Sequence, residues 1–180
     1  ALSSAASDVY KRQYHNDFLY KQANSPRSYD IVLYGSGLET EKLEGKVDYK
    51  GFVSSDELIA TAEGEYGLAW YGSSLEGGSG ALGEYLQYNA PHKMSLYIRC
   101  GLPIIVWEKA GLAPFVKKNN VGICISSLTE LEDILPKISA GQYMEMKKNV
   151  LQIADKLSHG YYCFKAIKQA CADLGVEIKG

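Results

Sequence analysis

The chain has 180 residues, about one domain's worth by length and short for a two-domain enzyme. Its 19 Lys and Arg against 21 Asp and Glu leave a formal net charge of −2, which excludes a nucleic-acid or anionic-membrane binder working by bulk charge. With 46% hydrophobic and 22% charged residues the composition is globular, and a chain of this size needs no metal or disulfide staple to close a core.

Residues 1–13 read differently from the rest. Asp8-Val9-Tyr10-Lys11-Arg12-Gln13 resembles a translation of a transposase mosaic-end adapter (GAT GTG TAT AAG AGA CAG), so residues 1–13 are set aside as a sequencing artefact, with a real, disordered Ser/Ala-rich terminus as the competing reading. On that expectation the genuine chain starts near Tyr14, a natural N-terminal part is missing, and residues 14–180 form one domain.

Asp30 to Tyr34 is a short apolar run ended by Gly35-Ser36-Gly37, a buried strand followed by a turn. Val47 to Val53 is a second strand. Ser54 then caps a helix, with Glu57 three residues later as the capping-box acid. Tyr66 to Trp70 is the third strand. The stretch Tyr71 to Tyr88 holds five of the 18 glycines and reads as a long functional loop. A helix follows with Pro91 near its first turn and Gly101 at its end, leading into a fourth strand at Leu102 to Trp107. Gly111 to Lys118 is a short helix, Gly122 to Ile125 a fifth strand, and Leu128 to Ile138 a helix. Two long terminal helices, Met144 to Leu157 and Tyr161 to Leu174, carry apolar residues at helical spacing. Strands alternating with helices predict an α/β fold, a Rossmann-like doubly wound parallel sheet.

Cys100, Cys124, Cys163 and Cys171 form no CxxC pair and have no His at metal-ligand spacing. Cys163 and Cys171 stand about 12 Å apart along one helix, too far for a disulfide. Reduced core cysteines and a cytoplasmic protein follow, with peripheral placement at the inner membrane face left open. No apolar run reaches the ~18 residues of a membrane span. Tyrosine is over-used, 14 against 4 Phe and 2 Trp, which suits half-buried faces and ligand grooves but also reflects ordinary genomic usage.

Ligands of open parallel sheets bind beyond the C-terminal strand ends, at loops entering helices. Two such places stand out. Tyr34-Gly35-Ser36-Gly37 is one, although no GxGxxG is present and a plain tight turn explains it as well. Tyr88-Asn89-Ala90-Pro91-His92-Lys93 is the other. A cation in the first turn of a helix opposes the dipole, so Lys93 is misplaced unless an anion joins it there. A solvated surface lysine is the competing reading, as a surface histidine is for His92.

Tyr66-Gly67-Leu68-Ala69-Trp70, the run from Gly83 through Asn89-Ala90-Pro91-His92-Lys93-Met94-Ser95 to Tyr97, and Gly101-Leu102-Pro103-Ile104-Ile105-Val106-Trp107 together resemble a bacterial glycosyltransferase family. That family includes galactofuranosyltransferases and streptococcal glucosyltransferase 3. The resemblance covers Tyr29 to Leu174 and implies the C-terminal, nucleotide-sugar-binding half of a GT-B fold.

It further implies a UDP-sugar donor, a glycan or glycoprotein acceptor, and an N-terminal acceptor domain missing from the chain. No nucleic-acid partner is expected, and oligomerisation is left open. Lys93 would neutralise the donor diphosphate, Tyr34 and Gly35 would meet the nucleotide, and Asn89 and Ser95 would lie beside phosphate or sugar. No acidic DxD pair is present, so no cofactor and no metal are expected. Leu96 stands where retaining GT-B enzymes place a ribose-binding Glu. Glu76 and Glu84 are weaker candidates for sugar or acceptor contacts, and the catalytic base is unassigned. A stand-alone nucleotide-binding module is the alternative function, and a nucleotide-sugar epimerase ranks third.

Overall fold

The computed structural model describes residues 2–6, 17–43 and 47–176. Six strands form one sheet: β1 (Leu2–Ala6), β2 (Ile31–Gly35), β3 (Val47–Tyr49), β4 (Tyr66–Ala69), β5 (Ile104–Trp107) and β6 (Gly122–Ile125). Their order is β3-β2-β1-β4-β5-β6 and every pairing is parallel. This is the doubly wound order whose switch point, where connections reverse direction, lies between β1 and β4.

The helices are α1 (Asp17–Asn24), α2 (Ser55–Thr61), α3 (Gly80–Tyr85), α4 (His92–Arg99), α5 (Ala113–Asn119), α6 (Leu131–Ile134), α7 (Ala140–Ser158) and α8 (Tyr161–Asp173). Successive strand residues point to opposite faces, and both faces are covered. Ile31, Leu33, Leu68, Trp70, Ile105 and Trp107 pack with Phe18 and Leu19 of α1 and with Leu131 of α6. Val32, Tyr34, Ala69, Ile104 and Val106 pack on the other face with Leu58 of α2, Met94 and Tyr97 of α4, and Val150 of α7.

The local signals place most elements. Ser54 accepts the Glu57 N–H at 3.3 Å and starts α2. Pro91 sits at the N-cap of α4, and Gly101, at φ 72°, follows its end. α7 begins four residues before the apolar spacing suggests, because Ser139 and Gln142 form a capping box there.

Several expectations change. Leu2–Ala6, set aside with residues 1–13, forms the strand next to the switch point, paired to both β2 and β4. Its Ser and Ala residues are weak strand formers, and their place is decided by backbone pairing, which leaves no periodic trace. Asp8 to Gln13 lie outside the described residues. The helix foreseen at Leu128 to Ile138 is a short α6 between two 3-10 turns, the second carrying Pro136. α1 escaped the pattern reading, and the glycine-rich stretch contains α3. Of the four cysteines, Cys163 is exposed rather than in the core, and the others are half-buried. No helix among the described residues is long and apolar enough to cross a membrane.

Candidate functional site

The β4 strand delivers Trp70 and Tyr71 to the C-terminal edge of the sheet beside the switch point. α4 lies close against this strand because Gly67 has no side chain: a Cβ there would stand 2.3 Å from the Tyr97 ring. That contact fixes the depth at which the first turn of α4 meets the strand end. The loop between them is folded rather than loose. The Trp70 indole donates to Ser74 O at 3.1 Å, and the Phe18 N–H reaches Gly72 O at 3.4 Å. Gly78 and Gly83 touch backbone to backbone, so a Cβ on Gly83 would fall 2.3 Å from the Gly78 carbonyl carbon.

Lys93 lies in the first turn of α4 and is 9% exposed. Its Nζ stands 4.7 Å from the centre of the Tyr71 ring. None of the ion pairs formed among the described residues includes it. Burial pushes its pKa down, to about 8. No side chain caps α4, and of its first-turn N–H groups the Met94 N–H bonds to Pro91 O at 3.0 Å. A buried cation in no ion pair among the described residues, in the first turn of a helix, is a candidate anion site.

The other predicted residues are distributed unevenly. Tyr34 is buried in the core, and its hydroxyl accepts the Glu63 N–H at 2.8 Å. Gly35 donates its N–H to Gly51 O at 2.8 Å and accepts from the Tyr49 hydroxyl at 2.7 Å. Both hold the turn at 36–37, which is exposed at the end of β2. Asn89 is half-buried on the approach to α4, its N–H bonded to Tyr85 O at 3.0 Å. Ser95 is exposed and sits about 200° around α4 from Lys93, so the helix separates the two. His92, Glu76 and Glu84 are exposed.

The residue missed by sequence reasoning is Tyr71. Its only signal was its position directly after a strand, inside a loop rich in glycine.

Residues 5–170 match the family described as glucosyltransferase 3-like, C-terminal domain. Among curated relatives, beta-1,6-galactofuranosyltransferase WbbI of Escherichia coli (strain K12) is 34% identical over 148 residues, covering 81% of this chain and 44% of the relative. Glucosyltransferase 3 of Streptococcus gordonii is 28% identical over 137 residues, covering 76% of this chain and 40% of the relative. The chain therefore spans less than half the length of these relatives. Among solved structures, Anabaena Alr3699/HepE in complex with UDP and glucose superposes with a TM-score of 0.55 at 15% identity, over 93% of this chain and 48% of that one. WaaG, a glycosyltransferase involved in lipopolysaccharide biosynthesis, superposes at 0.54 with 20% identity, over 86% and 42%. At such identities these likenesses establish the fold alone, a parallel α/β domain matching the C-terminal half of the GT-B architecture.

Proposed function

The chain belongs to the glucosyltransferase 3-like, C-terminal domain family, and from that premise we propose that it is the donor-binding domain of a hexosyltransferase. The donor is a UDP-sugar, and the group transferred is glucosyl, galactosyl or galactofuranosyl. It passes to a hydroxyl of a glycan or glycoprotein acceptor.

The observation that carries this reading is Lys93, buried at the N-terminus of α4 and in no ion pair among the described residues. As the glycosidic bond breaks, negative charge grows on the departing UDP. Lys93 and the first-turn N–H groups of α4 are fixed beside that charge, and fixed donors in a dry site are worth more than the same groups in water. With the positive charge supplied in this way, the leaving group needs no metal. Tyr34 and Gly35 act by holding the turn at 36–37 toward the nucleotide, Asn89 lines the approach, and Ser95 has no donor contact.

The chain, with β1 as one of the strands of its sheet, is the donor half of a longer protein in this reading. The remainder supplies the acceptor-binding domain and any catalytic base, so this chain alone binds donor but transfers nothing. α8 supports that division. None of its residues is buried, and Phe164 and Ile167, with Leu174 just past its end, are 65%, 49% and 78% exposed, an apolar stripe suited to the missing domain.

Titration calorimetry with UDP tests the proposal. The wild-type chain binds, and Lys93→Ala weakens binding by roughly 10- to 100-fold, the range of a charge-assisted contact. Because the charged lysine is the binding form, wild-type affinity falls as the pH rises above about 8. Equal affinity for the variant at neutral pH removes Lys93 from the mechanism.

A further inference from the structure

A buried ammonium commonly has a carboxylate beside it. Here the described residues bring an aromatic face instead, and the difference bears on how the site receives an anion. A carboxylate would stabilise Lys93 by cancelling its charge, and an entering diphosphate would have to displace it. A ring face attracts the ammonium through its quadrupole and leaves the whole positive charge available. The Tyr71 ring lies 4.7 Å from Nζ, within the range of such a contact.

The ring is itself held. Tyr71 packs against the core cluster on the α1 face of the sheet, while α4 covers the opposite face, so ring and ammonium meet over the edge of β4. Bonds on both sides fix the backbone. Trp70 is anchored through its indole to Ser74 O, and Gly72 O accepts the Phe18 N–H. Lys21 adds a bond from Nζ to Ser73 O at 2.7 Å.

Resting on the donor-site reading of Lys93, we propose that Tyr71 is the positioning residue of that site: its ring face holds the Lys93 ammonium at the end of β4, so that a nucleoside diphosphate meets a cation already placed and not cancelled by a carboxylate.

The test reads Lys93 directly and does not depend on catalysis. With ¹³C-labelled lysine, the Lys93 methylene signal, assigned by its loss in Lys93→Arg, is titrated by NMR in the 180-residue chain. Wild type titrates near pH 8, and Tyr71→Phe, which keeps the ring, stays within a few tenths of a unit. Replacing Tyr71 by mono-, di- and trifluorinated phenylalanines keeps the shape while draining the ring face. These lower the midpoint stepwise, and Tyr71→Leu lowers it by about one unit. A midpoint that is flat across the fluorinated series overturns the proposal. So does a Tyr71→Phe midpoint as low as that of Tyr71→Leu, which would assign the effect to the hydroxyl.

Adding UDP then separates the two readings. A midpoint that rises with UDP supports the donor site. One that follows the ring but ignores UDP leaves the role of Tyr71 standing and removes the donor assignment.

Discussion

The first turn of α4 and the outer face of α8 violate burial preferences in opposite senses. On α4 a lysine is buried with no ion pair among the described residues. On α8 a stripe of Phe164 and Ile167, continued by Leu174 just past the helix end, stands in water. A buried charge costs stability in the isolated domain, whereas an exposed apolar stripe merely forgoes it. The two therefore respond differently to mutation. The α4 feature is set in a packed frame, with Gly67 under Tyr97 and Gly78 against Gly83. The α8 feature is joined to the fold mainly through α7 and an edge-to-face contact of Tyr162 with Phe115, ring centres 6.4 Å apart.

Breaking the frame gives the largest effect expected. Gly83→Ala forces a Cβ into the Gly78 backbone, which cannot swing aside as a side chain could. Urea denaturation should show a loss of about 3 kcal/mol, and the loop that carries Tyr71 should loosen with it.

Lys93→Met sharpens the comparison in the other direction. The folded-state pKa of Lys93, about 8, lies below its ordinary 10.5, so the native state releases this proton before the unfolded chain does. The unfolded chain then binds more protons between those values, and stability rises with pH across that window. At neutral pH the lysine is still mostly charged in the fold, and keeping that charge buried costs stability relative to the unfolded chain. Lys93→Met therefore stabilises the domain at pH 7, by up to about 3 kcal/mol, and flattens stability between pH 8 and 10.5. Thermal melts at pH 7 and pH 10 check both statements. A variant that becomes more stable while losing UDP binding marks the lysine as kept for function rather than for folding.

Phe164→Ser gives the smallest effect. With its ring 65% exposed, the change should move stability by no more than about 0.5 kcal/mol. A loss of 2 kcal/mol in chemical denaturation would mean that α8 is already covered, and the contrast with α4 would fail.

Much of the fold was legible in the sequence, for particular reasons. β2, β4, β5 and β6 are short apolar runs bounded by glycine or proline, and burial on both faces removes any need for alternation. Ser54 with Glu57, and Pro91 with Gly101, mark helix ends through local chemistry. β1 was not legible, because small Ser and Ala residues carry no period and its slot is defined by strands far along the chain. Cys163 was misplaced because helical spacing says which residues share a face but not whether anything covers that face.

The candidate site divides the same way. Lys93 could be singled out from sequence, since a cation in a first helical turn is anomalous by position alone. Tyr34 was equally visible as a strand-end tyrosine, yet the core and the Glu63 N–H enclose it. Ser95 was implied by the family resemblance, and helical geometry turns it away from Lys93.

The sequence by itself determined the alternation of strands and helices, the family and the one lysine out of place, all of them local patterns or short motifs. The tertiary structure alone decided that this lysine is buried, that no ion pair among the described residues includes it, and that the Tyr71 ring faces it. Burial and cation–π contact depend on which chain segments meet. Here that meeting is set by the parallel sheet order and by the close seat of Tyr97 on Gly67, which carries α4 to the end of β4.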